Sequence, residues 1–240
     1  MRPLWRWTIG EVSEVGWEIF SESVRQAVKV YPEFDFVICH NNLSLEEVIF
    51  LKKWGVPLHS QKFEYPFQYC EKNQTDYSWK LVPPRLRMDA HELWVDNDLV
   101  IRDRIPEIDQ WLVSQTTMIS ASKEVISRYG RFTDSIDPWI KCCAGFFGLP
   151  PGFDLEARIN ELCMEPLVNY DEQGLVTKIV TGTTGWIEVD FENLKMLGSW
   201  NPERIGMPHR LPPGVHFVGS NRAKTKEWKP WLCYKLRTMP

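Results

Sequence analysis

Residues 34–39 read Phe-Asp-Phe-Val-Ile-Cys, a short apolar run with little in-out alternation. A strand patterned this way has both faces covered, and in an α/β chain helices on either side of a parallel sheet do the covering. Upstream, apolar residues of helical period over Trp17 to Val30 put Ile19, Val24, Ala27 and Val28 on one side, and Tyr31-Pro32 ends the helix. Before it, Trp7-Thr8-Ile9 reads as a strand that turns at Gly10. Downstream, a helix over Leu45 to Trp54 is stopped by Gly55, and a short strand follows near Val56 to His59. The chain therefore begins as a βαβαβ unit, the start of a mainly parallel sheet.

The pattern continues beyond that unit. Residues 64–76 are aromatic and polar without period and read as a loop, ahead of a helix over Trp79 to Leu86 made irregular by Pro83-Pro84. Glu92 to Val95 is the next strand and ends at Asp96-Asn97-Asp98. A helix is expected over Ile105 to Val113, and strands over Met118 to Ala121 and Ala144 to Leu149. Pro150-Pro151-Gly152 leads to a helix over Leu155 to Cys163. Another is expected over Asp171 to Val180, with acids in its first turn where the dipole favours them. Trp186 to Val189 and Val215 to Val218 are late strands. The expectation is one α/β domain over residues 1–240, with a mainly parallel central sheet flanked by helices.

Composition narrows the function. A net charge of −4 with 28 Lys and Arg against 32 Asp and Glu argues against a nucleic-acid partner, which would need a cationic surface to neutralise phosphates. The six cysteines show no CxxC and no regular spacing, so reduced thiols are expected rather than a zinc site or a disulfide framework. No apolar run resembles a signal peptide or a membrane span, and a soluble, cytoplasmic protein is expected, with peripheral membrane association left open.

The triplet Asp96-Asn97-Asp98 carries the chemistry. In an open parallel sheet ligands bind beyond the carboxyl ends of the strands, where these two carboxylates stand. Together they make a hard oxygen site suited to Mg²⁺ or Mn²⁺, ions that retain waters and bridge substrate phosphates. An isolated Asp-x-Asp is equally a loop in which an aspartate caps the next turn.

Other segments, in order along the chain, decide between these readings. Leu93 to Ile101 (LWVDNDLVI) resembles the apolar strand ending in Asp-x-Asp of GT-A glycosyltransferases, in particular the family-8-like enzymes that use UDP-sugars. Trp79-Lys80-Leu81 and Pro84-Arg85-Leu86 resemble the family's helix that sets basic residues beside the donor. Cys143-Ala144-Gly145-Phe146-Phe147 is similar to its small apolar strand, with Cys143 where asparagine is usual. Tyr170 to Gly174 looks like its acidic helix start, and His216-Phe217-Val218-Gly219 resembles part of its C-terminal signature.

The resemblance implies a GT-A-type, Rossmann-like fold. Residues 1–100 would serve the nucleotide, and residues 101–240 the donor sugar and acceptor. It implies Asp96, Asp98 and His216 as metal ligands, and imidazole among carboxylates tilts the site toward Mn²⁺ over Mg²⁺. Thr8, Ile9, Gly10, Lys80, Arg85, Asn97, Gly219, Arg222 and Lys224 would contact the donor. The family's lysine after the glycine is replaced here by Arg222, with Lys224 and Lys226 close behind, and Lys-Pro-Trp appears only at Lys229-Pro230-Trp231. Asp171, Glu172 and Gln173 would hold sugar hydroxyls or face the anomeric carbon, where an oxocarbenium-like state must be stabilised. For Asp171 a first-turn or cap role is the structural alternative.

The implied activity is transfer of a hexose from a nucleotide-diphosphate sugar, with UDP as the expected nucleotide, to a glycan, lipid or protein acceptor. Two alternatives stand beside it. The Asp-x-Asp-x-Val strand end also fits a haloacid-dehalogenase-like phosphatase, in which the first aspartate is the nucleophile. That family places its motif on an early strand and supplies a late acidic pair, and neither is found here. A degenerate nucleotide-sugar-binding domain would keep the cation and lose the transfer.

Overall fold

The computed structural model describes residues 1–10, 12–41, 43–61, 78–122, 129–163, 165, 167, 170–198 and 212–218. The first half supplies β1 (Leu4–Ile9), α1 (Glu14–Val30), β2 (Asp35–His40), α2 (Leu45–Lys52), β3 (Leu58–Ser60), β4 (Glu92–Asp96) and β5 (Leu99–Ile101). The second half supplies α3 (Pro106–Leu112), β6 (Met118–Ala121), β7 (Cys142–Leu149), α4 (Leu155–Leu162), α5 (Asp171–Thr181), β8 (Ile187–Val189), β9 (Leu194–Gly198) and β10 (Gly214–Val218). Seven strands form the central sheet in the order β3-β2-β1-β4-β7-β6-β8, parallel except for the two pairings of β7. The carboxyl ends of β1, β2, β3 and β4 thus share one edge, and β7, running against β4, brings its first residues to that edge.

Alternation along each strand divides the core. Trp5, Trp7, Ile9, Leu93, Val95 and Phe146 pack with α1 on one face of the sheet. Trp94, Phe147 and Leu149 pack with α4 and α5 on the other. Each such side chain, fully buried, contributes about 1.5–3 kcal/mol relative to exposure. Local chemistry sets the helix starts. The Ser13 hydroxyl accepts from the Gly16 amide at 3.1 Å to begin α1. Ser44 and Glu47 form a reciprocal capping box at α2.

β1 is longer than its apolar run suggests, because it carries Arg6 fully buried in mid-strand. The guanidinium lies 3.6 Å from the Trp94 ring centroid, donates to the carbonyls of Lys80, Val82 and Pro83, and meets Glu92 at 3.3 Å. Those bonds capture the 80–83 backbone. The helix expected over Trp79 to Leu86 is accordingly a 3₁₀ turn, Ser78–Leu81, followed by bends. The loop expected over residues 64–76 lies outside the described residues.

A second sheet, in the order β5-β10-β9, adds two strands to the one expected at Val215 to Val218. β10 pairs antiparallel with β5, His216 facing Leu99, and the Phe217 amide donates to the Asp98 carbonyl at 2.8 Å. This pairing carries the late strand back to the end of β4. Cys39, Cys142, Cys143 and Cys163 are buried free thiols. Among the described residues no helix is long and apolar enough to cross a membrane.

Candidate metal and donor site

Three side chains converge at the carboxyl edge of β4. Asp96 is the last residue of β4, Asp98 sits two further on, and β10 supplies His216. His216 Nε2 stands 3.0 Å from Asp98 Oδ1 and 3.9 Å from Asp96 Oδ2. One ligand atom from each of the three residues lies within 4.8 Å of the other two. Asp98 and His216 are buried, while Asp96 keeps 19% of its side chain exposed and forms the open side.

Electrostatics shows what this cluster seeks. Burial works against the His216 imidazolium, but the Asp98 carboxylate beside it outweighs burial and raises its pKa well above the ordinary histidine range. Burial likewise opposes the Lys80 ammonium, and Asp96 and Glu172 overcome it to raise that pKa above the lysine norm. Lys80 Nζ lies 2.6 Å from Asp96 Oδ1. Both cations answer the same concentration of carboxylates, and a divalent ion would answer it better.

On one side the cluster is closed by backbone. Gly145 on β7 faces it, and a Cβ there would stand 2.5 Å from His216 Cε1 and 2.8 Å from Asp96 Oδ2. Only a bare backbone lets β7 lie this close. Two carboxylates and an imidazole form a donor set that accepts Mn²⁺ or Mg²⁺.

The remaining residues divide. Thr8 pairs in register with Asp96, so Thr8, Ile9 and Gly10 border the triplet. At Gly10 a Cβ would come within 3.1 Å of the Trp79 ring, which closes that corner. Asn97 is buried between the two acids. Glu172 is buried at the start of α5, and its field on Lys80 brings that helix start into the group. Gln173 follows it, half-buried.

Arg85 is not brought to the triplet. Its guanidinium meets Glu92 at 3.3 Å and the carbonyls of Arg87, Ala90, Pro150 and Phe153, at the opposite end of β4. Four steps along the strand, about 13 Å, separate Glu92 from Asp96. Asp171 also has structural partners: it accepts from the Arg131 amide at 2.8 Å, and its Oδ2 pairs with the Arg131 guanidinium at 2.7 Å. Asp171 thus lies in the first turn of α5 without capping it, Tyr170 standing at the N-cap, and it ties the 3₁₀ turn Gly130–Ser135 to the helix. Gly219, Arg222 and Lys224, with Lys226 and Lys229-Pro230-Trp231, lie outside the described residues. Sequence patterning marks neither Arg6 nor Glu92 as part of the framework of this edge. A lone arginine flanked by Trp5 and Trp7 inside a strand was the available signal.

A scan against models of protein families gives no match, and a search of the curated proteins gives none. Solved structures do match. The galactosyltransferase LgtC in complex with donor and acceptor sugar analogues is 14% identical with a TM-score of 0.60, over 99% of this chain and 97% of that one. The glycosyltransferase GlyE of Streptococcus pneumoniae TIGR4 is 9% identical with a TM-score of 0.60, over 98% of this chain and 60% of that one. Mouse xyloside xylosyltransferase 1 in its apo form is 10% identical with a TM-score of 0.54, over 91% and 98%. At these identities the likeness speaks for the fold. The chain has the fold of the GT-A nucleotide-sugar glycosyltransferases, with an Asp-Asp-His cluster at its sheet edge that a divalent ion fits.

Proposed function

We propose that the chain is a metal-dependent glycosyltransferase that moves a hexose from a nucleotide-diphosphate sugar, with UDP as its nucleotide, to a glycan, lipid or protein acceptor. The observation that carries this reading is the convergence of Asp96, Asp98 and His216 on one point at the carboxyl edge of a GT-A sheet. When bound, Mn²⁺ or Mg²⁺ would offset charge on the departing diphosphate.

The chain's own groups have separable tasks in this reading. Asp96, Asp98 and His216 hold the cation. Thr8, Ile9 and Gly10, at the end of β1, border the nucleoside, and Asn97 bonds ribose or sugar hydroxyls. Lys80 moves its ammonium from Asp96 to a phosphate oxygen, and Gly219, Arg222 and Lys224 complete the diphosphate site beyond β10. On the sugar side, Glu172 and Gln173 orient donor hydroxyls. Arg85 and Asp171 leave the donor and catalytic sets, since their partners tie them into the framework. Residues 1–100 then serve mainly the nucleotide, and residues 101–240 the donor sugar and acceptor.

The test is UDP binding with and without Mn²⁺, followed by donor hydrolysis. UDP should bind only with Mn²⁺, and Asp98→Ala should abolish both binding and hydrolysis. Turnover of simple phosphomonoesters without UDP affinity would instead establish a phosphatase and overturn the proposal.

A further inference from the structure

We propose that Cys143 positions the His216 ring for the cation, accepting the Nδ1 proton so that Nε2 is left to ligate; this rests on the metal reading of the cluster. His216 is buried, so both ring nitrogens need partners. Nε2 is turned to Asp98 and Asp96. Nδ1 faces Cys143 Sγ at 3.9 Å, and the Gly145 amide donates to the same sulfur at 3.5 Å. Ring Nδ1 and the Gly145 amide converge on one sulfur, with Gly145 so close that a Cβ there would stand 2.5 Å from His216 Cε1.

A break in the sheet puts the thiol there. Between β6 and β7 the register passes from Ile119 opposite Phe147 to Ser120 opposite Cys143, so one step on β6 answers four on β7. Ala144, Gly145 and Phe146 form the excess, and such bulges re-aim side chains. The Ser120 hydroxyl donates to the Cys143 carbonyl at 3.1 Å and holds the far side of the bulge. Histidine ligands of metals ordinarily give their second N–H to a carboxylate, carbonyl or water, and that partner sets ring orientation and basicity. Sulfur is a weak acceptor. It fixes the ring while drawing little on the proton, so a stronger acceptor at position 143 would tighten the cation.

The experiment uses the full chain without nucleotide. Mn²⁺ affinity is measured from the free-ion signal in electron paramagnetic resonance, and the His216 nitrogen coupling to bound Mn²⁺ by its pulsed form. Cys143→Ala should weaken Mn²⁺ about tenfold or more and reduce the nitrogen coupling, in the range of lost outer partners of metal ligands. Cys143→Asn, whose amide oxygen reaches further from Cβ than sulfur, should keep or improve both. If Cys143→Ala fails to fold, Cys143→Val, which keeps volume without the acceptor, takes its place. Equal weakening in Ala and Asn would mean a packing role and overturn the proposal, as would unchanged affinity in Ala. A His216→Ala variant that binds Mn²⁺ as tightly as wild type would overturn the metal reading itself, a separate outcome.

Discussion

The two ends of β4 each hold a carboxylate among cations, and they behave as opposites. At the amino end Glu92 is fully buried, and both its oxygens are taken: one by Arg6, the other by Arg85 and the amides of Leu86 and Arg87. At the carboxyl end Asp96 shares one oxygen with Lys80, and its other oxygen faces His216 at 3.9 Å, beyond hydrogen-bonding distance. The saturated carboxylate is framework, and the partly open one is the one the proposed function uses for the cation. Lys80 joins the two ends, since its carbonyl accepts from Arg6 at 3.1 Å while its ammonium reaches Asp96. The framework end thereby aims a side chain of the chemical end.

Substitution at each end should separate these roles. The largest effect is expected for Asp98→Ala. It should cut donor turnover about ten-thousandfold, some 5 kcal/mol on the barrier, with the far-UV circular dichroism spectrum preserved. Retained turnover would make the carboxyl end framework as well. Next comes Glu92→Ala, which strands Arg6 and Arg85 in the interior. A loss of about 4 kcal/mol in urea unfolding is expected, and intact stability would erase the contrast.

The neighbours Asp171 and Glu172 repeat the comparison in one helix turn. Asp171→Asn should lower stability by about 2 kcal/mol through its bonds to Arg131, while turnover per folded molecule stays near wild type. Glu172→Gln should do the reverse, leaving urea unfolding nearly unchanged and slowing turnover.

The smallest effect is a pH dependence. Because the folded pKa of His216 is raised, its contribution to stability is complete below the unfolded value of about 6.5 and is lost as pH climbs through the folded one. Metal-free protein should therefore melt a few degrees lower as pH rises over that window. Mn²⁺ should counter the loss, since it binds the deprotonated ring. A melting temperature that climbs without metal would contradict the Asp98 and imidazolium pairing.

Much of this was legible in the sequence because it is local. The mostly apolar run at Phe34 to Cys39 overlaps β2, where Asp35 to Val37 are only half-buried, the period over Trp17 to Val30 lies in α1 with Val28 turned outward, and Asp96 ends β4. What escaped depends on contacts far apart in the chain. β5 has three residues, too few to show a period, and its partner β10 comes more than a hundred residues later. Asp171 reads as a helix-start acid with nothing nearby to announce its pairing with Arg131, 40 positions away. Arg85 sits in the right short segment, but Pro83-Pro84 and the grip of Arg6 turn it toward Glu92.

Gly145 sets a narrow path for change in this protein. Position 145 admits no side chain as the cluster stands, because even a methyl group meets both His216 and Asp96. A single nucleotide change from glycine to alanine could therefore yield a descendant that keeps its sheet and cleft but cannot seat the ion. In the proposed reading, one carbon atom would then separate a seated ion, and the nucleotide it brings, from an empty cleft.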